Sequence, residues 1–223
     1  MRKKKALLLG LKIFLSMGLI LWITHNISLE QVWLVIADAD VALLFLAFSL
    51  FFVGYFITAF RWRMLIRAQG GDAPILYLVR SFMVAIFFNN FLPSTIGGDA
   101  VRMYDSWRLG NTTSGAVSVV LVDRFLGVLA LLLIALIALL MDPQISTQFP
   151  SIAIWVGITI FSAGLLVWIV LNTPPGKIET FALKSSGVIR KLAGFLGKVL
   201  NTLQSYKNSP GAVVRALLLS FLL

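Results

Sequence analysis

The sequence contains no cysteine and one histidine, His25, among its 223 residues. Without cysteine the chain forms no disulfide and has no thiolate nucleophile, and the usual ligand set of a zinc site is missing. No nucleophile–base pair and no Walker A or other nucleotide motif is visible, so an ATP-driven pump is not supported. Asp99 and Asp105 could hold Mg²⁺, but they lack the longer multi-aspartate spacing of a lipid phosphotransferase. We therefore predict no cofactor and no bound metal.

Acidic residues are also scarce: Asp and Glu total 9 against 19 Lys and Arg, which gives a formal net charge of +10. In a soluble protein such an excess would indicate a nucleic-acid partner. Here the mean hydropathy is +0.95, and basic residues cluster at 2–5, 61–67 and 177–207. Residues 25–40 and 142–150 contain no Lys or Arg. This positive-inside asymmetry predicts a cytoplasmic N-terminus, contact between the basic segments and anionic inner-leaflet lipid, and no nucleic-acid partner.

What the chain has in abundance is long apolar runs. Residues 6–24, 41–60, 125–141 and 151–171 each approach the ~20 residues that cross a bilayer. The first run is longer than a signal-peptide core, and no small-x-small cleavage site follows it, so we interpret it as a retained helix. The sequence predicts an all-α, polytopic transmembrane helical bundle in which residues 1–223 form a single integral membrane domain.

The region from 74 to 124 has to start and end on the inner side if its neighbours are placed by charge. We favour a re-entrant hairpin, in which a helix at 74–92 enters, the chain breaks near 90–98, and a return segment occupies 99–124. The alternative is a full crossing followed by a charged return helix buried in the bundle. Residues 112–123 are apolar but too short to span, which is compatible with a second re-entrant segment.

The C-terminal region has a different pattern. Residues 177–204 carry apolar side chains every three to four positions and predict an amphipathic helix lying in the inner interface, although a solvated linker remains an alternative. The lysines expected to meet anionic headgroups recur every seven residues: Lys177, Lys184, Lys191 and Lys198. Residues 212–223 begin a further helix that is too short to cross, so we expect the membrane domain to be C-terminally truncated.

The stretch from Asn89 to Gly110 is the strongest candidate for a functional site. Non-helical backbone and ionised side chains at membrane depth are tolerated only where they are buried in protein or line a wet cavity. Pro93 removes a backbone donor, and Gly97 and Gly98 allow close approach of a ligand at a helix N-terminus, where phosphate binds well. A lipid headgroup phosphate is the expected anion, and the alternative is a glycine-rich turn that only joins two helices.

The charged residues around this stretch have two interpretations. Asp99, Arg102, Asp105 and Arg108 are spaced three apart, so they either neutralise one another along a helix or leave one arginine free to grip phosphate. Asp123 and Arg124 are adjacent and point to different faces, so each needs a partner elsewhere. Our lipid phosphate-binding candidates are Gly97, Gly98, Arg102 and Arg124. The predicted polar cavity contains Asn89, Asn90, Pro93, Asp99, Asp105, Asp123 and Arg80, the last of which is also placed to snorkel to the interface.

The order of these residues resembles a known family. The pattern N-x-x-x-P, then G-G-D/E-x-x-R, then D-R-x-x-G resembles the membrane domain of bacterial lysyl-phosphatidylglycerol synthases, the multiple peptide resistance factor family, and its stand-alone flippase-like relatives. The matching positions are Asn89 or Asn90, Pro93, Gly97, Gly98, Asp99, Arg102, Asp123, Arg124 and Gly127. The resemblance covers most of residues 2–171.

This resemblance implies a multi-pass protein of the bacterial plasma membrane that moves a phospholipid, in some members an aminoacylated one, between leaflets. In those members a separate soluble domain transfers lysine to phosphatidylglycerol. The chain contains no such domain, so we do not predict enzyme activity for it. Two further hypotheses stay open: a membrane platform for a lipid-modifying aminoacyl- or glycosyl-transferase, and a small-solute or ion transporter built on a broken helix.

Overall fold

A computed structural model describes residues 13–22, 24–25, 27–91, 96–184 and 186–223, and every regular element in these ranges is helical. The predicted all-α, polytopic fold is confirmed. Pro93 and the basic residues 2–5 lie outside the described residues. The helices are α1 (Ile13–Trp22), α2 (Leu29–Ala37), α3 (Val41–Ala68), α4 (Ile75–Phe91), α5 (Ile96–Arg108), α6 (Thr113–Met141), α7 (Pro143–Gln148), α8 (Pro150–Asn172), α9 (Pro175–Lys184), α10 (Gly187–Ser205) and α11 (Pro210–Ser220).

Three of the described helices are long and apolar enough to cross a membrane: α3, α6 and α8, with 28, 29 and 23 residues. At 1.5 Å per residue they extend roughly 35 to 43 Å, more than the ~30 Å hydrocarbon core. The chain is therefore a multi-pass membrane protein. Helix α3 runs eight residues beyond the predicted end at residue 60, because its arginines are good helix formers and the first break is Gly70, with φ of +84°.

The chain forms two compact units, residues 1–50 and 51–223. In the first unit Asp40 caps the start of α3, because its Oδ1 accepts the N–H of Ala42 at 2.8 Å. In the second unit the core is made where the later half of α3 meets α4, α6 and α11. Its fully buried side chains include Trp62, Leu65, Ile66, Leu78 and Val119.

The return segment differs from the one predicted. The sequence was expected to form one segment at 99–124 and a separate span at 125–141, whereas the structure has α5, a turn at Gly110 with φ of +94°, and one continuous α6. Thr112 starts α6 by accepting the N–H of Gly115 on its hydroxyl at 3.0 Å. Residues 112–123 are thus the first part of a long helix, not a second re-entrant segment. Asp123 and Arg124 do not interrupt it, because both are ion-paired.

The C-terminal amphipathic region is divided in two. The predicted single helix at 177–204 is broken between α9 and α10, where Gly187 takes a left-handed φ of +60°. One face of α10, which includes Ala193, Gly197 and Leu200, is buried and packs against α6. A short 3₁₀ turn, Tyr206–Asn208, then leads into α11, which begins at Pro210.

Candidate functional site

Helices α4 and α5 pack against each other as an antiparallel hairpin. Near the start of α4, Tyr77 and Ser81 donate their hydroxyls to the two carboxylate oxygens of Asp105, near the end of α5, at 3.2 and 2.5 Å. At the other end of the pair, the N–H of Gly98 donates to Oδ1 of Asn89 at 2.7 Å. The hairpin is therefore fixed by polar contacts at both ends.

Gly98 is needed because the two helices meet there almost backbone to backbone. A Cβ at this position would lie 2.6 Å from the carbonyl oxygen of Ala85 and 2.6 Å from Oδ1 of Asn89. The Gly98 N–H is already bonded to Asn89, so in this arrangement it is not the free donor that our phosphate hypothesis requires. Gly98 serves close packing in the structure, and Asn89 caps α5 from the neighbouring helix.

A cavity of about 730 Å³ opens between the same two helices. Its lining comes from α4 (Tyr77, Arg80, Ser81, Val84, Phe88) and from α5 (Gly97, Ala100, Val101, Tyr104, Asp105, Arg108). Because the helices are antiparallel, the polar side chains of both lie together at one end. The apolar side chains lie together toward the tip of the hairpin. The cavity is thus amphipathic along its length, which is about 16 Å from Tyr77 to Phe88 at the helical rise.

Two arginines stand at the polar end of this cavity, Arg80 on α4 and Arg108 on α5. Neither forms an ion pair with any residue that the structure describes, and both are exposed. Asp105 shares the polar end but binds hydroxyl groups rather than a guanidinium. A guanidinium that lines a cavity and lacks a counter-ion is suited to bind a phosphate oxygen pair.

Arg108 was missing from our candidates, and a helical-face argument would have found it. Gly97, Val101, Tyr104 and Arg108 recur every three to four residues, so they share the face of α5 that lines the cavity. Of the predicted cavity residues, the structure brings Arg80 and Asp105 together there, with Gly97. Asn90 instead donates to the carbonyl of Ile86 on its own helix, at 3.2 Å. Pro93 lies outside the described residues.

A second polar cluster lies behind α5, buried in the core. The carboxylate of Asp123, on α6, is 2.7 Å from Nε of Arg61 and 2.8 Å from Nη2 of Arg102. Arg61 also donates Nη1 to the hydroxyl of Ser220 on α11, at 2.7 Å. Side chains from α3, α5, α6 and α11 therefore meet at one carboxylate. The residues are almost completely buried: 7% of Arg61, 4% of Arg102 and 2% of Asp123 is exposed.

The expected ladder along α5 does not form. Asp99 pairs with Arg124 of α6, where Nη2 and Oδ1 are 2.9 Å apart, and Arg102 pairs with Asp123 rather than with either neighbouring aspartate. These two charges of α5 are paired across helices because the adjacent residues Asp123 and Arg124 of α6 reach one each. Arg102 and Arg124, predicted to bind phosphate, are thus both ion-paired, while the adjacent Asp123 and Arg124 find separate partners as expected.

Arg61 was not among our candidates either. It follows a long apolar run, so the sequence indicated only a basic residue at the membrane surface. Its burial follows from the extension of α3 to Ala68, which carries Arg61 into the core beside Trp62. The other arginines of this segment stay outside: Arg63 and Arg67 both donate to the carboxylate of Asp72.

Two arginines of α3 form ion pairs with Asp72, which lies in the loop between α3 and α4. Asp72 accepts hydrogen bonds from Arg67 and from Arg63, and these bonds hold the pKa of its carboxyl well below the usual range. Nearby, burial raises the pKa of the Tyr206 phenol, whose hydroxyl accepts from Gln69 and donates to the carbonyl of Leu65. Within the described ranges, no group of three or more acidic or histidine side chains is placed to hold a metal ion.

Comparison with known proteins identifies the family of this chain. The model of the family described as "Lysylphosphatidylglycerol synthase TM region" matches residues 8–223. The chain belongs to this family. A UPF0104 membrane protein of Pyrococcus horikoshii is 26% identical over 186 residues, which cover 82% of this chain and 53% of the relative. The chain thus spans about half the length of the curated relative it matches, and no solved structure matches it significantly.

Membership of the lysylphosphatidylglycerol synthase transmembrane family confirms the resemblance that the motifs in residues 89–127 indicated. The match is to the transmembrane region of the synthases. In this member the motif residues divide into two places. Asn89 and Gly98 fix the hairpin, and Arg102, Asp123 and Arg124 tie α5 to α6.

Proposed function

We propose that this chain is a flippase-like transporter that moves an anionic phospholipid, or its aminoacylated form, between the leaflets of a bacterial plasma membrane. The observation that carries the proposal is the amphipathic cavity of the α4–α5 hairpin, which places two arginines without ion-pair partners among the described residues at one end and apolar walls at the other. A phospholipid has the same order of groups: a phosphate, then acyl chains.

The cavity also suits a lipid in its position. In the re-entrant arrangement α4 starts at the inner surface, so Arg80 and Arg108 lie at headgroup level and Phe88 lies deeper in the bilayer. The phosphate then contacts the guanidinium groups while an acyl chain lies along Val84 and Val101. Polar groups at headgroup level suit the phosphate, because an ionised headgroup is costly in hydrocarbon.

The amphipathic helix α10 supplies a further contact with lipid in this proposal. Its described residues Lys191 and Lys198 are exposed, and so is Leu192 with 58% of its surface. Lys177 of α9 is exposed too, while the side chain of Lys184 lies outside the described set. Exposed lysines beside exposed apolar side chains favour contact with an anionic membrane surface on the cytoplasmic side.

The test is leaflet exchange of labelled phosphatidylglycerol, and of its lysyl form, by the purified protein in liposomes. We expect protein-dependent exchange that falls at least tenfold in Arg80→Gln/Arg108→Gln. That loss corresponds to about 1.4 kcal/mol, close to the lower bound of about 1.5 kcal/mol for one charge-assisted hydrogen bond. Arg215→Gln is the matched control, since Arg215 is an exposed arginine of α11 whose one hydrogen bond among the described residues goes to its own helix, at the carbonyl of Gly211.

A second candidate function is a membrane platform for a lipid-modifying transferase domain. The family description favours it, because the matched region is named as part of a synthase. No exchange of either lipid by a folded, reconstituted protein would argue for the platform. Binding of phosphatidylglycerol that depends on Arg80 and Arg108 but occurs without exchange would support it directly.

A further inference from the structure

The buried cluster behind α5 holds more positive than negative charge. Two guanidinium groups, of Arg61 and Arg102, face one carboxylate, that of Asp123, and all three side chains are at least nine-tenths buried. Asp99 and Arg124, which form another ion pair between α5 and α6, are neutral in sum. The cluster therefore has a formal excess of one positive charge in a region that water hardly reaches.

The hydrogen bonds of the cluster are also incomplete. Nε of Arg102 has no acceptor among the described residues, and Nη2 lies 2.8 Å from Asp123 without its N–H pointing along that line. The indole N–H of Trp62, which is fully buried, has no acceptor there either. The two groups are neighbours, because the guanidinium carbon of Arg102 lies 4.8 Å from the centre of the Trp62 ring.

The excess positive charge and the donors without acceptors both indicate that the cluster lacks one partner. Arg and Trp side chains are donors only, so the missing partner has to be an acceptor. A buried charge and buried donors are costly unless they are compensated, and an ordered water or ion is one way in which a native core satisfies such groups. Water would accept the hydrogen bonds but would leave the charge unbalanced, whereas an anion supplies both.

We propose that Arg102, Arg61 and the indole of Trp62 form a binding site for one small dissolved anion of single charge, such as chloride. The burial of Arg102 favours an ion without bulk over a tethered headgroup. The site is separate from the lipid cavity, because Arg102 does not line that cavity and lies on the side of α5 away from Gly97, Tyr104 and Arg108. Its occupancy stabilises the junction of α3, α5, α6 and α11, and it does not depend on the proposed lipid transport.

The test uses the purified full chain in an uncharged detergent, with chloride replaced by gluconate at constant ionic strength. We expect the midpoint of thermal unfolding to rise with chloride and then saturate, as linkage to a ligand of the folded state requires. Radiolabelled chloride should bind with a stoichiometry of one per chain. In Arg102→Met one arginine faces one aspartate, so the charges balance, and we expect both the chloride dependence and the binding to disappear.

Arg80→Met is the control, since it removes an arginine of the lipid cavity and should keep the full chloride effect. Because Arg102→Met also removes a buried ion pair, radiochloride binding by the unsubstituted protein provides a test that needs no variant. Absence of that binding overturns the proposal, and so does an equal chloride effect in Arg102→Met. Stabilisation by added phosphatidylglycerol without any chloride effect also overturns it and assigns the donors to a lipid phosphate.

Discussion

Asp123 is the residue on which the buried architecture depends most. Its carboxylate is the only negative group in contact with Arg61 and Arg102 among the described residues, and it is 2% exposed. Asp123→Asn keeps the shape of the side chain but leaves two buried guanidinium groups without the carboxylate that pairs with both of them. Breaking a buried pair in this way costs about 3–5 kcal/mol. For a chain of this size the loss corresponds to a fall of roughly 6–20 °C in Tm.

The matched control for this prediction is Asp99→Asn. It removes the other ion pair between α5 and α6, but Asp99 and Arg124 are 20% and 47% exposed. An exposed pair of this kind contributes about 0–1 kcal/mol, so the control should stay close to the unsubstituted protein. The assay is thermal unfolding in detergent, measured as the loss of the monodisperse protein peak in size-exclusion chromatography after heating.

The double variant Asp123→Asn/Arg102→Met tests whether excess positive charge causes the loss of stability. If excess charge is the cause, removing one guanidinium along with the carboxylate should recover part of the lost stability. Equal midpoints for Asp123→Asn and Asp99→Asn would refute the argument. A double variant less stable than Asp123→Asn would refute it as well, since packing rather than charge would then control the cluster.

Three further predictions concern other parts of the molecule. Gly98→Ala should destabilise the hairpin by about 1–3 kcal/mol, because the new methyl meets the carbonyl oxygen of Ala85, which cannot move aside. Gly127→Ala, where nothing lies within 4 Å, should be neutral or stabilising in the same unfolding assay, and the reverse order would contradict the packing argument. The folded-state pKa of Asp72 is lowered by Arg67 and Arg63, so its contribution is present above the unfolded pKa of about 3.9 and is lost as pH falls through the folded value. Asp72→Asn should therefore reduce the loss of stability on acidification below about pH 4. The effect should shrink with added salt, because the carboxylate of Asp72 is exposed. A salt-independent effect would count against this account. Lys191→Gln together with Lys198→Gln should weaken association with anionic nanodiscs, and unchanged binding would remove α10 from the membrane surface.

Apolar length and charge position predicted the fold class, because a bilayer leaves few alternatives to helices of the right length. The boundaries were less predictable. Residues 112–123 looked too short to span because the charges of Asp123 and Arg124 were read as a break. Those charges lie inside a continuous helix, since partners on other helices neutralise them, and such partners cannot be read from local sequence.

The candidate site was predicted only in part, because its contacts are also made between helices and cannot be read from local sequence. The glycine pair and Asn89 marked the hairpin correctly, yet the expected phosphate contact at Gly98 is a contact between helices. Spacing of three residues suggested pairs along α5, whereas cross-helix geometry pairs Asp99 and Arg102 with α6. The two cavity arginines, Arg80 and Arg108, have no described ion-pair partner, and they become neighbours only when the antiparallel packing of α4 and α5 is known.

The most direct test of lipid passage through the α4–α5 cavity uses the absence of cysteine. Val84→Cys places one thiol on the cavity wall, and Met83→Cys places one on the same helix but outside the lining, at the same 41% exposure. Each variant is reconstituted, modified with a bulky methanethiosulfonate reagent, and assayed for exchange of labelled phosphatidylglycerol before modification, after it, and after reduction. We predict that modification at position 84 stops exchange and that reduction restores it, while position 83 has no effect. Undiminished exchange after complete modification at position 84 would contradict the account.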